Sequence, residues 1–151
     1  MNRIARCTHA AQRGWLELRA ELWSAPRDEE LAEMAAMAAA PQRYGAFIAY
    51  SEQGEPLALA EVARRVDYVN GAHTSPVAFL EALYVMPHAR GRGIATALVG
   101  QVCRWAKEQG LGELASDAAL DNVTSHGVHR ALGFEETERV VCFRKLLADA
   151  G

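Results

Sequence analysis

Residues 86–98 read Met-Pro-His-Ala-Arg-Gly-Arg-Gly-Ile-Ala-Thr-Ala-Leu (MPHARGRGIATAL). Just before them stands Val77–Val85 (VAFLEALYV), the most apolar run of the chain and the expected central strand. Just after them, Ile94, Ala97, Leu98, Val102 and Trp105 recur as one stripe of a helix that Gly110 ends. A glycine turn between a strand and a helix leaves backbone N–H groups pointing outward at the positive end of the helix dipole. Glycine also lets an anion come close to the backbone. The stretch therefore reads as a seat for phosphate, to which Arg90 and Arg92 add charge. It is not a P-loop, because no Gly-Lys-Ser/Thr follows. It is not a GxGxxG fingerprint, because Thr96 occupies the place of the third glycine. Metal-assisted nucleotide hydrolysis is unsupported.

The rest of the chain arranges itself around this junction. Ile4–Cys7 is a short first strand. From Ala11 the pattern turns helical, with Trp15, Leu18, Leu22 and Trp23 on one stripe. Pro26 stops that helix and opens a second, Glu29–Ala39, whose acidic start suits the dipole. Tyr44–Tyr50 and Pro56–Arg65 read as antiparallel strands joined by the turn at Ser51–Gly54. An Asn-Gly turn signal lies in the segment that leads to Val77–Val85. Alternation along that strand places Val77, Phe79, Glu81, Leu83 and Val85 on one face. Leu111–Asp117 is a further strand, Asp121–Leu132 a helix and Glu138–Leu146 (ERVVCFRKL) a last strand. The order is β, two helices, three strands, then α-β-α-β, which predicts a mixed sheet covered by helices.

Composition narrows the function. The 151 residues suffice for one domain, 1–151, with one core. Lys and Arg number 16 against 19 Asp and Glu, a net charge of −3 that disfavours nucleic acid and suits a cationic partner. No apolar run reaches the ~18 residues of a membrane span, and no signal core opens the chain. Cys7, Cys103 and Cys142 are three and scattered, which fits free thiols in the cytoplasm rather than disulfides or zinc. His126 and His129 share a helix, but no third ligand is placed by spacing, so no metal is expected.

The junction resembles the GNAT acyltransferase superfamily, whose acetyl-CoA motif is Gln/Arg-x-x-Gly-x-Gly/Ala. Arg90, Gly93 and Ala95 stand at those places. A second superfamily element, Asn-x-x-small-x-x-x-Tyr-x-x-x-Gly-Phe, is matched by Asn122, Ser125, His129, Gly133 and Phe134, with histidine where tyrosine is usual. The resemblance implies an α/β (α+β) fold: a single GNAT-like domain with a mixed, mostly antiparallel central sheet covered by helices on both faces. It implies that acetyl-CoA is held by Arg90, Gly91, Arg92, Gly93, Ile94 and Ala95 at its pyrophosphate. Main-chain groups of Leu83 and Val85 would pair with its pantetheine arm, and Asn122 would contribute to the same site.

Further segments resemble the aminoglycoside 6′-N-acetyltransferases over nearly the whole chain. These are Leu18-Arg19 with Leu22-Trp23, Asp67–Gly71, Ser75-Pro76-Val77 with Phe79-Leu80-Glu81, Ala115-Ser116-Asp117 and Gly133–Val140. They imply a cationic amino sugar as acceptor, bound by the carboxylates of Glu81, Asp117 and Glu138 with Trp23 and Tyr68 packed on sugar rings. They also imply a homodimer. The residues read by themselves agree in part, since a polycation needs carboxylates in its cleft. The same reading leaves Glu138 open to being a solvated strand charge and Trp23 to being core.

Acyl transfer from a thioester to an amine needs a base for the ammonium proton and a donor aimed at the developing oxyanion. Asp117 is the expected base, with Glu81 as the alternative or as a water-positioning partner. A backbone N–H near Leu83 is the expected oxyanion donor by resemblance, and His129 the expected acid for the leaving thiolate. Two other readings stay open: a GNAT enzyme for another amine, such as a polyamine or a protein N-terminus, and a non-catalytic acetyl-CoA binder.

Overall fold

The structure, a computed structural model, describes residues 2–148. It divides into two compact units, Met1–Asp117 and Ala118–Gly151.

The first unit is built on one sheet in the order β1-β2-β3-β4-β5. Strands β1 (Arg3–Arg6), β2 (Tyr44–Tyr50), β3 (Pro56–Arg65) and β4 (Val77–Val85) are antiparallel in turn, and β5 (Leu114–Ala115) is parallel to β4. Helices α1 (Trp15–Leu22) and α2 (Arg27–Ala39) cover one face, where Trp15, Leu18, Met34 and Met37 pack on Ala46, Ile48, Tyr50 and Leu59. Gly14, at φ 87°, starts α1. A Cβ there would lie 2.4 Å from Cβ of Pro56, so only glycine fits where α1 begins against β3. Helix α3 (Ile94–Glu108) lies on the other face. Its Trp105 comes so near the sheet that a Cβ on Gly45 would sit 3.3 Å from the indole nitrogen.

The α1 stripe ends one residue short of Trp23. Trp23 is extended (φ −135°, ψ 147°) and 39 % exposed, so it is not core. The row expected along β4 is also broken. Ala82 pairs with Glu61 but Leu80 pairs with Val62, which leaves Glu81 as the extra residue of a bulge. The phase of the pleat flips there. Val77 and Phe79 share the α1–α2 face with their partners Arg65 and Ala63, whereas Leu83 and Val85 share the α3 face with Ala60 and Ala58. A one-residue insertion exchanges the faces of everything beyond it, and no period-2 reading detects it.

The expected strand at 111–117 shortens to Leu114–Ala115. In the second unit the expected helix is α4 (Val123–Ala131). The expected last strand, Glu138–Leu146, does not form: these residues pair with no strand among the described residues, and Val140, Val141, Phe143 and Leu146 are exposed. Alternating β-branched residues supply propensity, but a strand exists only with a ladder partner.

Candidate active site

The glycine turn has the geometry its sequence calls for. Pro87–Ala89 forms one turn of 3₁₀ helix, and Gly91 and Gly93 follow at φ 78° and 80°, a region that favours glycine. Gly93 is the N-cap of the 15-residue α3, no side chain caps that end, and a Cβ added at Gly91 or Gly93 would meet nothing within 4 Å. The first N–H groups of α3 thus lack a side-chain cap at the positive end of a four-turn helix.

Beside it runs a bare strand edge. β5 pairs with β4 only at Ala78 and Phe79. The N–H of Met86 donates to Leu57 O at 2.8 Å, so Tyr84 and Met86 turn their amides to β3. Leu83 and Val85, out of phase with them, direct theirs to the other edge. Arg90 Nε reaches that edge and donates to Val85 O at 2.9 Å, and its guanidinium lies 5.7 Å from the Tyr84 ring centre. The side chain of Arg90 is therefore committed to its own strand, while Arg92 is exposed.

Glu81, placed by the bulge, accepts from Arg65 Nη2 at 2.8 Å and Nε at 3.1 Å, both on Oε1. The Arg65 guanidinium lies 3.8 Å from the centre of the Phe79 ring. Val69 packs with Val77 and Phe79, which roots the loop that carries Tyr68, itself 77 % exposed. Glu113 fastens the same loop by accepting from the N–H groups of His73 and Thr74 and the Thr74 hydroxyl. Those hydrogen bonds, the Thr74 hydroxyl foremost, hold its carboxyl below the ordinary range.

On the same face, Trp23 lies 4.8 Å over the guanidinium of the fully buried Arg19. Arg19 Nη1 donates to both oxygens of Glu61 at 2.7 and 2.8 Å, Nε donates to Glu30, and Nη2 pairs with Glu33 at 3.0 Å. Trp15 Nε1 completes the shell of Glu61 at 2.9 Å. Burial opposes the charge on Arg19, but the neighbouring carboxylates outweigh it and raise its pKa. One cation shared by three carboxylates leaves burial dominant at Glu61, whose pKa also rises. Burial first, then the Glu61 charge, pushes the Cys7 thiol up to about 12, so it is no nucleophile.

Asp117 follows β5 and is exposed. In the second unit, Asn122 is the N-cap of α4 and accepts from Ser125 N at 3.1 Å. Gly133 (φ 92°) and Phe134 end the helix as a Schellman motif, with Gly133 N donating to Arg130 O and Phe134 N to His129 O. The Phe134 ring meets the His129 ring edge-on at 5.2 Å. The spacing Asn122–Ser125–His129–Gly133–Phe134 is thus a cap, a stop and the ring contact that seals the stop. His129 Nδ1 lies 2.8 Å from Ser125 O and 3.3 Å from Ser125 Oγ, contacts one turn back along α4 that orient the ring. Glu138 is exposed.

Within Met1–Asp117 the fold brings Glu81 to Phe79 and Arg65, and Trp23 to Arg19. Sequence reasoning passed over Arg19 as a structural charge, over Arg65 and over Glu61. Glu61 had a signal: it is the one acid inside the apolar strand PLALAEVARR.

Comparison with known proteins gives the following. The sequence model of the Acetyltransferase (GNAT) family matches residues 11–134. The aminoglycoside N(6′)-acetyltransferase type 1 of Serratia marcescens is 49 % identical over 145 residues, which is 95 % of this chain and 99 % of that one. Among solved structures, the aminoglycoside antibiotic 6′-N-acetyltransferase AAC(6′)-Ih from Acinetobacter baumannii superposes with TM-score 0.91 at 44 % identity, covering 98 % of this chain and 100 % of the other. AAC(6′)-Iy in complex with the bisubstrate analogue CoA-S-monomethyl-acetylneamine gives TM-score 0.89 at 41 % identity over 97 % and 99 %.

Proposed function

The chain belongs to the GNAT acetyltransferase family, and on that footing we propose that it transfers the acetyl group of acetyl-CoA to the 6′-amine of aminoglycoside antibiotics, as a resistance enzyme. The observation that carries this reading is the likeness, over 97 % of the chain, to an enzyme solved with CoA joined to an acetylated aminoglycoside.

The pyrophosphate rests on the N–H groups that follow Gly91 and Gly93. The pantetheine arm lies along the edge of β4 at Leu83 and Val85, which no strand covers among the described residues, and takes the place of a sixth strand. Ile94, Ala95 and Asn122 complete the cofactor side. The acceptor binds to Glu81, Asp117 and Glu138, with Trp23 and Tyr68 against its rings. Its 6′-ammonium gives a proton to water held by Asp117, with Glu81 as the alternative, and the free amine attacks the thioester carbonyl. The tetrahedral oxyanion takes a backbone N–H near Leu83. The nitrogen gives its second proton to water as the C–S bond breaks, and the CoA thiolate leaves and is protonated, with His129 as the proposed acid.

Asp117 is exposed and acts chiefly by holding the ammonium. Asp117→Asn is expected to lower kcat/KM for the acceptor roughly 10–100-fold, the worth of one charge-assisted hydrogen bond, with the KM for acetyl-CoA unchanged. Near-normal turnover of this variant across the neutral pH range removes Asp117 from the reaction.

The whole reading is tested by CoA release with kanamycin A, which carries a 6′-amine, and paromomycin, which carries a 6′-hydroxyl. Turnover with the amine alone is the expected result. Acetyl-CoA binding without turnover of either compound overturns it in favour of another amine or a non-catalytic binder.

The same reading takes residues 1–151 as a single acetyltransferase domain. It also includes a homodimer, supported by the exposed Val140, Val141, Phe143, Leu146 and Leu147, which a second copy would cover. A cytoplasmic setting is supported by the free thiols Cys7, Cys103 and Cys142. No helix among the described residues is long and apolar enough to cross a membrane.

A further inference from the structure

Glu81 and Phe79 together make a cradle for a cation: a carboxylate supplied by the β4 bulge and an aromatic face two residues before it. The chain fills that cradle itself. Arg65, the register partner of Val77, lays its guanidinium on the Phe79 ring at 3.8 Å and gives two hydrogen bonds to one oxygen of Glu81. Among the described residues the second oxygen, Oε2, takes none.

We propose that Arg65 is an intramolecular competitor for the acceptor, a resident cation that one ammonium of the aminoglycoside must displace from Phe79 and Glu81. The inference rests on the reading of Glu81 as an acceptor-binding carboxylate.

Three features make the pair fit this role. The Arg65 and Glu81 side chains are 41 % and 32 % exposed, so their attraction is screened and the pair is cheap to open. The Arg65 stem is long, which lets the head swing into water without moving β3. A compact ammonium also matches one carboxylate oxygen, whereas guanidinium pairs best with two, and here Arg65 engages only Oε1. A polycation that meets several carboxylates at once outcompetes a single half-exposed arginine; a monoamine does not. The device therefore selects for acceptors with several charges.

The test is steady-state kinetics of the full chain with kanamycin A and acetyl-CoA. Arg65→Gln is expected to lower the acceptor KM roughly 3–10-fold, the release of one partly exposed ion pair, with kcat and the acetyl-CoA KM unchanged. Glu81→Gln raises the acceptor KM. In the Glu81→Gln background, Arg65→Gln brings little further gain, because the carboxylate for which the two cations compete is gone. Arg64→Gln removes the same charge from the neighbouring position on the opposite face of β3 and leaves the acceptor KM where it was. If Arg65→Gln loses thermal stability, Arg65→Met, which keeps the apolar stem, replaces it in every arm.

An acceptor KM that stays or rises in Arg65→Gln, while Glu81→Gln raises it, overturns the competition and leaves the acceptor site standing. A gain that persists without Glu81, or that Arg64→Gln reproduces, shows a general field effect and also overturns it. No effect of Glu81→Gln on the acceptor KM removes Glu81 from the acceptor site, and the proposal falls with that reading.

Discussion

Arg19→Met is expected to cost about 3–5 kcal/mol of folding stability, a large part of what a domain of this size possesses. The loss does not measure the strength of the Arg19 ion pairs. It measures what remains when they go: the carboxylates of Glu30 and Glu61, 5 % and 2 % exposed, buried without their cation. Trp15 Nε1 would still serve Glu61, but one neutral donor does not replace a guanidinium that gives it two hydrogen bonds.

The sign of the pH dependence follows. With Arg19 gone, burial acts on Glu61 with only the Trp15 hydrogen bond to oppose it, and its folded pKa rises further above the unfolded value. A raised carboxyl favours the folded state below the unfolded pKa, and that contribution is lost as pH rises through the folded pKa. The deficit of Arg19→Met is therefore largest at neutral pH and shrinks on acidification. Urea unfolding at neutral and at mildly acidic pH checks both the size and the sign. A loss under about 1 kcal/mol, or a deficit independent of pH, would mean that the cluster is not charged as described. Trp23 adds a second readout, because its indole lies over the Arg19 guanidinium and its fluorescence reports the loss before unfolding.

Much of this architecture was legible in the sequence because period and punctuation carry it. The α3 stripe, the glycine turn and the strands Tyr44–Tyr50, Pro56–Arg65 and Val77–Val85 formed as their residues predict. The motif at the α3 junction was readable because its glycines answer to backbone geometry, the φ of 78° and 80° at Gly91 and Gly93. Where reading failed, the cause lay in pairing. The bulge at Glu81 is set by which residue of β3 stands opposite, and no local pattern encodes that. The segment after Glu138 has the composition of a strand and no ladder partner among the described residues. The cluster of Arg19, Glu30 and Glu61 joins two helices and a strand from 42 residues apart, a distance at which residue type gives no pairing information. Likewise Arg65 entered only as the last residue of a strand, and the three-dimensional register put it on Phe79 and Glu81.

Gly93→Asp separates the seat from the fold. The position has φ 80°, where a side chain is normally strained, yet Asp and Asn tolerate this region better than other residues. Space is no obstacle, since a Cβ at Gly93 would meet nothing within 4 Å. Gly93 is also the N-cap of α3, a place where aspartate side chains bond to the next amides and where negative charge suits the dipole. Stability is therefore expected to change by no more than about 1 kcal/mol. Acetyl-CoA is expected to suffer: its Kd should rise roughly 100–1,000-fold, because a carboxylate would stand at the proposed pyrophosphate seat and take the N–H groups assigned to it. Gly93→Asn shares the backbone demand and the capping ability without the charge. The gap between Asn and Asp, and its decline with added salt, isolates the electrostatic part. Calorimetric titration of acetyl-CoA into the three proteins, with melting curves alongside, gives both quantities. Unimpaired acetyl-CoA binding by the aspartate variant would place the pyrophosphate elsewhere. A melting loss of many degrees would instead show that Gly93 serves the turn before it serves the anion. The two outcomes are independent because the residue that best closes the helix is the one that best repels the cofactor.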